Sequence, residues 1–110
     1  MTEPTLDPAV FAELEAAAGA DFARELIATF LEEAPLMLAE LRSTLAAGNA
    51  DAFRRVAHSL KSNSLTFGAL TLGAMARELE LRGLSDDAPL DALAGEYARA
   101  AAALTALRDA

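Results

Sequence analysis

A chain of 110 residues is long enough for one domain with a modest core. It contains no cysteine, which excludes disulfides, thiolate nucleophiles and cysteine metal sites. A net charge of −8 argues against nucleic acid or an anionic membrane surface as the main partner.

Apolar residues make up 54% of the chain and aromatics only 5%; the excess of Ala, Leu, Glu and Arg over β-branched residues favours helix. No apolar run approaches the roughly 18 residues that span a bilayer. The polar, acidic start MTEPTLDP does not read as a secretory signal, so a cytoplasmic protein is expected; Met1 and the five-helix plan favour a free-standing protein over a module of a larger one.

Turn signals divide the chain into five helical segments. Asp7 is placed to cap a short helix over about 8–18, with Pro8 in its first turn and Gly19 just past its end. A long helix over about 21–47 follows and stops at Gly48. Its apolar positions Phe22, Leu26, Phe30, Met37, Leu41 and Leu45 keep helical spacing, and Pro35 is expected to bend it. Asn49 or Asp51 opens a third helix over about 50–67. Thr71 is expected to cap a fourth over about 71–82, with Leu72, Met75, Ala76 and Leu79 on one face. After the loop LSDDAP, an alanine-rich fifth helix over about 89–108 carries Leu90, Leu93, Tyr97, Ala101 and Leu104 as its stripe. The predicted fold is all-α: one domain over 1–110, an antiparallel four-helix bundle with an additional short N-terminal helix. No apolar face is left over, so a monomer is expected.

The single histidine, His58, lies in VAHSLKSNSLTFGA, residues 56–69. At 100° per residue, Phe53, Val56, Ala57, Leu60, Ser64 and Phe67 fall within about 60° of a common direction, while His58 lies roughly 140° away beside Arg54, Lys61, Ser62 and Leu65. His58 is therefore expected outside the core. From Ala52 to Arg77 there is no acid among 26 residues, although the chain carries 17, and the window holds Arg54, Arg55, Lys61 and Arg77. Such a positive patch favours the neutral, nucleophilic ring and attracts an anion placed on it. Ser62, one turn on, is small enough to leave room above the ring. A phosphoryl acceptor and a solvated basic helix face both fit these observations.

The stretch AHSLKSNSLTFGA resembles the signature of histidine-containing phosphotransfer (HPt) domains, approximately A-H-x-L-K-[GS]-x-[SA]-x-x-[LIVF]-G-A. His58, Leu60, Lys61, Ser64, Phe67, Gly68 and Ala69 match it. The likeness extends to LDPAVFAEL ahead of the long helix FLEEAPLMLAELRSTLAAGN, and so to nearly the whole chain. The resemblance implies that His58 takes a phosphoryl group, through Nε2, from one receiver-domain aspartate and passes it to another. Lys61 would steady the phosphate, with Arg54, Arg55 and Ser62 in support, and Gly68 would permit the close turn that ends the motif helix.

Two positions depart from the pattern. Ser62 stands where glycine is frequent. Glu80 stands about 22 residues after the histidine, where some members carry glutamine; its charge would repel phosphate if it faced the site, so Arg77 is expected to be the more useful neighbour.

The partners implied are the receiver domains of response regulators or of a hybrid histidine kinase. The chain itself would bind no cofactor, with Mg²⁺ carried by the receiver. There is no nucleotide-binding loop, so a carrier without ATP-dependent kinase activity is expected. Leu65 is the first candidate for partner docking, followed by Phe22, Ile27 and Phe11. One histidine without nearby acids makes no metal site. Glu32–Glu33 and Asp86–Asp87 read as solvated acids, Glu13 and Glu15 as a poor acid/base pair, and Met37 and Met75 as core. The alternative function is a helical adaptor that binds receiver or kinase domains without carrying phosphate. A hydrolase using Ser59, Ser62 or Ser64 with His58 lacks a nearby carboxylate to orient the ring.

Overall fold

The computed structural model describes residues 5–85 and 88–110; the acidic pair at 86–87 lies outside them. Five α-helices run in order: α1 Pro8–Ala18, α2 Ala20–Ala47, α3 Ala50–Thr66, α4 Leu70–Arg82 and α5 Leu90–Asp109. No strand occurs among the described residues. α2 to α5 form an antiparallel ring in which each helix packs on the next and α5 returns to α2, while α1 lies on α2 and the end of α3.

Local chemistry explains the boundaries. The Asp7 carboxylate accepts the Ala9 N–H at 3.0 Å and Pro8 opens α1. Gly48 ends α2 in the left-handed region, φ 67°, and Asn49, not Asp51, caps α3 by accepting the Ala52 N–H at 3.2 Å. Pro35 sits inside an unbroken α2. Thr71 does not cap α4: the helix begins a residue earlier, with Ala69 at its N-cap and no side-chain cap. The tight 67–69 turn, which returns the Ala69 N–H to the Ser64 carbonyl at 2.9 Å, puts an alanine at the cap position, and alanine has no side-chain acceptor.

The core is built from Ile27, Phe30 and Leu41 of α2, Phe53, Ala57 and Leu60 of α3, Leu72, Ala76 and Leu79 of α4, and Leu93, Ala100 and Leu104 of α5. Each large member contributes roughly 1.5–3 kcal/mol by leaving water. Phe30 meets Phe67 at 5.3 Å and Tyr97 at 6.1 Å between ring centroids. Tyr97 donates its hydroxyl to the Leu31 carbonyl at 3.4 Å, and burial raises its pKa.

α3 and α4 approach most closely through small residues. Gly73 is buried, and a Cβ there would stand 2.7 Å from Leu65 Cδ2 and 3.7 Å from Ser64 Cβ. Buried Ser64 donates its hydroxyl to the Leu60 carbonyl at 2.6 Å, so its polarity is satisfied within its own helix. This close contact brings the outer face of α3 alongside the side chains of α4.

Candidate functional site

Phe53, Ala57, Leu60, Ser64 and Phe67 are all buried, which turns the opposite face of α3 to solvent. His58 stands on that face with 57% of its side chain exposed. Glu80 reaches across from α4: its Oε2 lies 2.6 Å from His58 Nδ1 and its Oε1 takes a hydrogen bond from Lys61 Nζ at 2.8 Å. One carboxylate thus holds the histidine and the lysine of the motif together.

An ionised carboxylate can only accept, so Nδ1 carries the proton in this pair. The Lys61 hydrogen bond holds the Glu80 pKa below the usual carboxylate value against the opposing effect of burial, with the His58 hydrogen bond adding to the lowering. The carboxylate therefore stays charged, and in the neutral ring the Nε2 lone pair is free. No described residue bonds Nε2. The tautomer is set by a partner 22 positions away in sequence.

This geometry corrects two expectations. Glu80 is a site residue, not a misplaced charge: it engages Nδ1 and Lys61, away from the nitrogen that would carry an anion. The positive patch is also less positive than the acid-free window suggests. Lys61 is neutralised by Glu80, and Arg54 pairs with Asp51 Oδ1 at 2.7 Å, an acid one residue outside that window. The missing carboxylate that could orient His58 is supplied by the neighbouring helix, where no local reading of α3 can find it. The 22-residue offset to the family's glutamine position is the one signal that pointed there.

The remaining candidates separate clearly. Arg55 and Ser62 are exposed on the His58 face, and Arg55 lines an open cleft with His58, Asp51, Arg54, Ser59 and Glu80. Arg77 lies away from that cleft, beside Lys61, Leu65, Leu70 and Ala74 along a shallow apolar groove. Leu65 and Phe22 are 44% and 51% exposed and remain available to a partner. Ile27 and Phe11 are not. Both are buried, Ile27 because it lies on the inward stripe of α2 with Ala23, Phe30 and Ala34, and Phe11 because it is the one residue by which α1 enters the core.

Gly68 does more than close the motif turn. It has φ 75°, and a Cβ there would lie 2.7 Å from the Asp7 carbonyl oxygen and 2.9 Å from Val10 Cβ. The Asp7 N–H donates to the Gly68 carbonyl at 2.8 Å, so the residue also seats the start of α1 against the end of α3. Among the described residues no three His, Asp or Glu side chains converge to hold a metal, and no helix is long and apolar enough to cross a membrane.

No curated protein sequence matches the chain. Among solved structures it is similar to the crystal structure of histidine-containing phosphotransfer protein B (HptB) from Pseudomonas aeruginosa PAO1, with a TM-score of 0.88 and 32% identity over 98% of this chain and 97% of that one. The model of the Hpt domain family matches residues 25–110, and the chain belongs to that family.

Proposed function

We propose that this protein carries a phosphoryl group on Nε2 of His58 and passes it between receiver-domain aspartates in a two-component phosphorelay. The observation that carries this reading is the exposed imidazole with Nδ1 engaged by Glu80 and Nε2 free, set in an Hpt fold. Receiver domains of response regulators or of a hybrid kinase are the partners that fit, and a cytoplasmic monomer without kinase activity of its own is the simplest form of such a carrier.

In the accepting step the Nε2 lone pair attacks the phosphorus of the aspartyl phosphate in line with the scissile P–O bond. An N–P bond forms, the P–O bond breaks, and its electron pair leaves on the receiver's carboxylate. No proton needs to move. Nδ1 keeps its hydrogen, the ring becomes formally cationic, and Glu80 lies against the nitrogen where that charge develops. A preoriented carboxylate placed there stabilises the transition state more than the neutral ground state. The rest of the work is positioning and neutralisation of the phosphoryl oxygens, with Arg54 and Arg55 lining the cleft that holds the ring and Lys61 linked to it through Glu80. Mg²⁺ held by the receiver would add its charge on the donor side.

The test is transfer from receivers phosphorylated on aspartate to wild type and to His58→Gln, followed by intact mass and acid lability. Acid-labile phosphate on wild type alone is expected. Equal labelling of both would remove His58 from its role, and no labelling by any receiver would favour the adaptor function.

A further inference from the structure

Resting on His58 as the carrier, we propose that Lys61 and Arg55 divide the work usually given to one cation: Lys61 is a positioning residue acting through Glu80, and Arg55 is the cation that meets the phosphoryl group on Nε2.

The case begins with Glu80. Its two oxygens are spent on His58 Nδ1 at 2.6 Å and Lys61 Nζ at 2.8 Å. Lys61 is thereby tied to the Nδ1 side of the ring, toward α4. The two nitrogens of an imidazole direct their substituents away from each other, so a group on Nε2 extends away from the carboxylate that holds Lys61. The lysine is also the more enclosed of the two cations, with 22% of its side chain exposed. Moving it to the phosphoryl group would strip a partly buried carboxylate of its charge partner, which is costly.

Arg55 has the opposite setting. It is exposed and forms no ion pair with any described residue, although Glu40 of α2 lines the groove beside it. It stands three residues before His58, one turn back on the same face, where side chains are neighbours. Helical side chains lean toward the N-terminus, so the imidazole extends over the turn that contains Arg55. Arg55 borders the cleft that holds His58 and Glu80 and also a groove with Met37 and Glu40 of α2; it can therefore reach the ring from the α2 side, whereas Glu80 reaches it from α4. A guanidinium fork suits bidentate contact with phosphoryl oxygens. The other cations are less well placed: Arg54 is engaged by Asp51 at 2.7 Å, and Arg77 lines the separate groove beyond Lys61.

The experiment uses phosphoramidate as a small phosphoryl donor, so that partner docking plays no part. Wild type, Lys61→Met, Glu80→Gln, the Lys61→Met/Glu80→Gln double variant and Arg55→Met are compared by phosphorylation rate across pH. The ¹⁵N shifts of the unphosphorylated His58 ring report its tautomer in each. Lys61→Met should redistribute the tautomers and change the pH profile, and the double variant should be no slower than Glu80→Gln alone. Arg55→Met should leave the ring shifts unchanged and slow phosphorylation about tenfold or more, the scale of one hydrogen bond to a charged group.

Additive losses in the double variant with unmoved ring shifts would place Lys61 on the phosphoryl group and overturn its half of the proposal. An unchanged rate in Arg55→Met would overturn the other half. If phosphorylated receivers and phosphoramidate alike leave wild type unlabelled, the carrier function fails and the Arg55 assignment with it. The ring shifts still decide the coupling of Lys61 to Glu80.

Discussion

Glu80 of α4 accepts the Nδ1–H of His58 of α3 at 2.6 Å, a contact between residues of two helices that turns an exposed ring into one with a defined tautomer. Its consequence for pH can be stated with sign. The native pKa of Glu80 lies below the ordinary carboxylate value, first through Lys61. A carboxylate depressed in this way contributes its stability fully above the unfolded value and loses it as pH falls through the native one. Urea denaturation of wild type and Glu80→Gln should therefore differ most near neutrality, and the difference should shrink on acidification below the ordinary glutamate range. A constant difference across that window would mean that the charge of Glu80 contributes nothing to the fold.

Gly68→Ala should cost about 1–3 kcal/mol of folding stability, the scale of a non-glycine residue held in an unfavourable backbone region. The new Cβ would also press on the backbone oxygen of Asp7 at 2.7 Å, which cannot yield as a side-chain tip can. The start of α1 should loosen first, so amide exchange at Asp7, whose N–H is bonded to the Gly68 carbonyl, should accelerate beyond the global change. If exchange there rises no more than elsewhere, the contact between residues 7 and 68 does not anchor α1.

Leu65 and Gly73 allow docking to be separated from chemistry. Leu65 rests on the glycine, and an alanine Cβ at position 73 would meet Leu65 Cδ2 at 2.7 Å, a flexible tip that can move aside. Helix propensity favours alanine by about 1 kcal/mol, so Gly73→Ala should retain stability close to wild type while lifting Leu65 out of the shallow groove. Transfer from a phosphorylated receiver should slow in Gly73→Ala and Leu65→Ser. Phosphorylation by phosphoramidate should not change in Leu65→Ser. Equal rates from the receiver would show that this groove lies outside the contact.

The parts of this protein that are legible in its sequence are those decided within one helix. The 3.6-residue period of α3 separates Phe53, Ala57 and Leu60 from His58 because burial of one stripe dictates exposure of the other, and Gly48 ends a helix wherever it occurs. What the chain order hides is decided between helices. Glu80 reaches His58 because Ser64 and Gly73 let α3 and α4 approach closely, and no pattern in either helix alone registers the two. Ile27 and Phe22 show the same limit. They face about 140° apart on one helix and both are apolar, and which of the two directions is buried is decided by the packing of α2 against its neighbours, which leaves Phe22 51% exposed.

Glu96 is the second carboxylate that periodicity did not single out, and its environment makes the opposite prediction to that of Glu80. The residue is 3% exposed on α5. Its Oε1 accepts from Arg99 Nε at 2.9 Å, while Oε2 is buried with no hydrogen-bond partner among the described residues. A buried acceptor left unsatisfied costs about 1–3 kcal/mol, and Arg99, with 64% of its side chain exposed, loses little if the pair is removed because water replaces the carboxylate. Replacing Glu96 by Met keeps much of the volume and removes the orphaned oxygen, and volume-conserving changes of this kind are tolerated by cores. Glu96→Met should therefore raise the midpoint of urea unfolding, by about 1 kcal/mol in stability, without altering transfer to His58. Glu96→Gln, which keeps a polar atom at the Oε2 position, should gain less. A loss of stability in the methionine variant would show that Glu96 has a partner in solution that compensates its burial, and the glutamine variant would then lose stability as well.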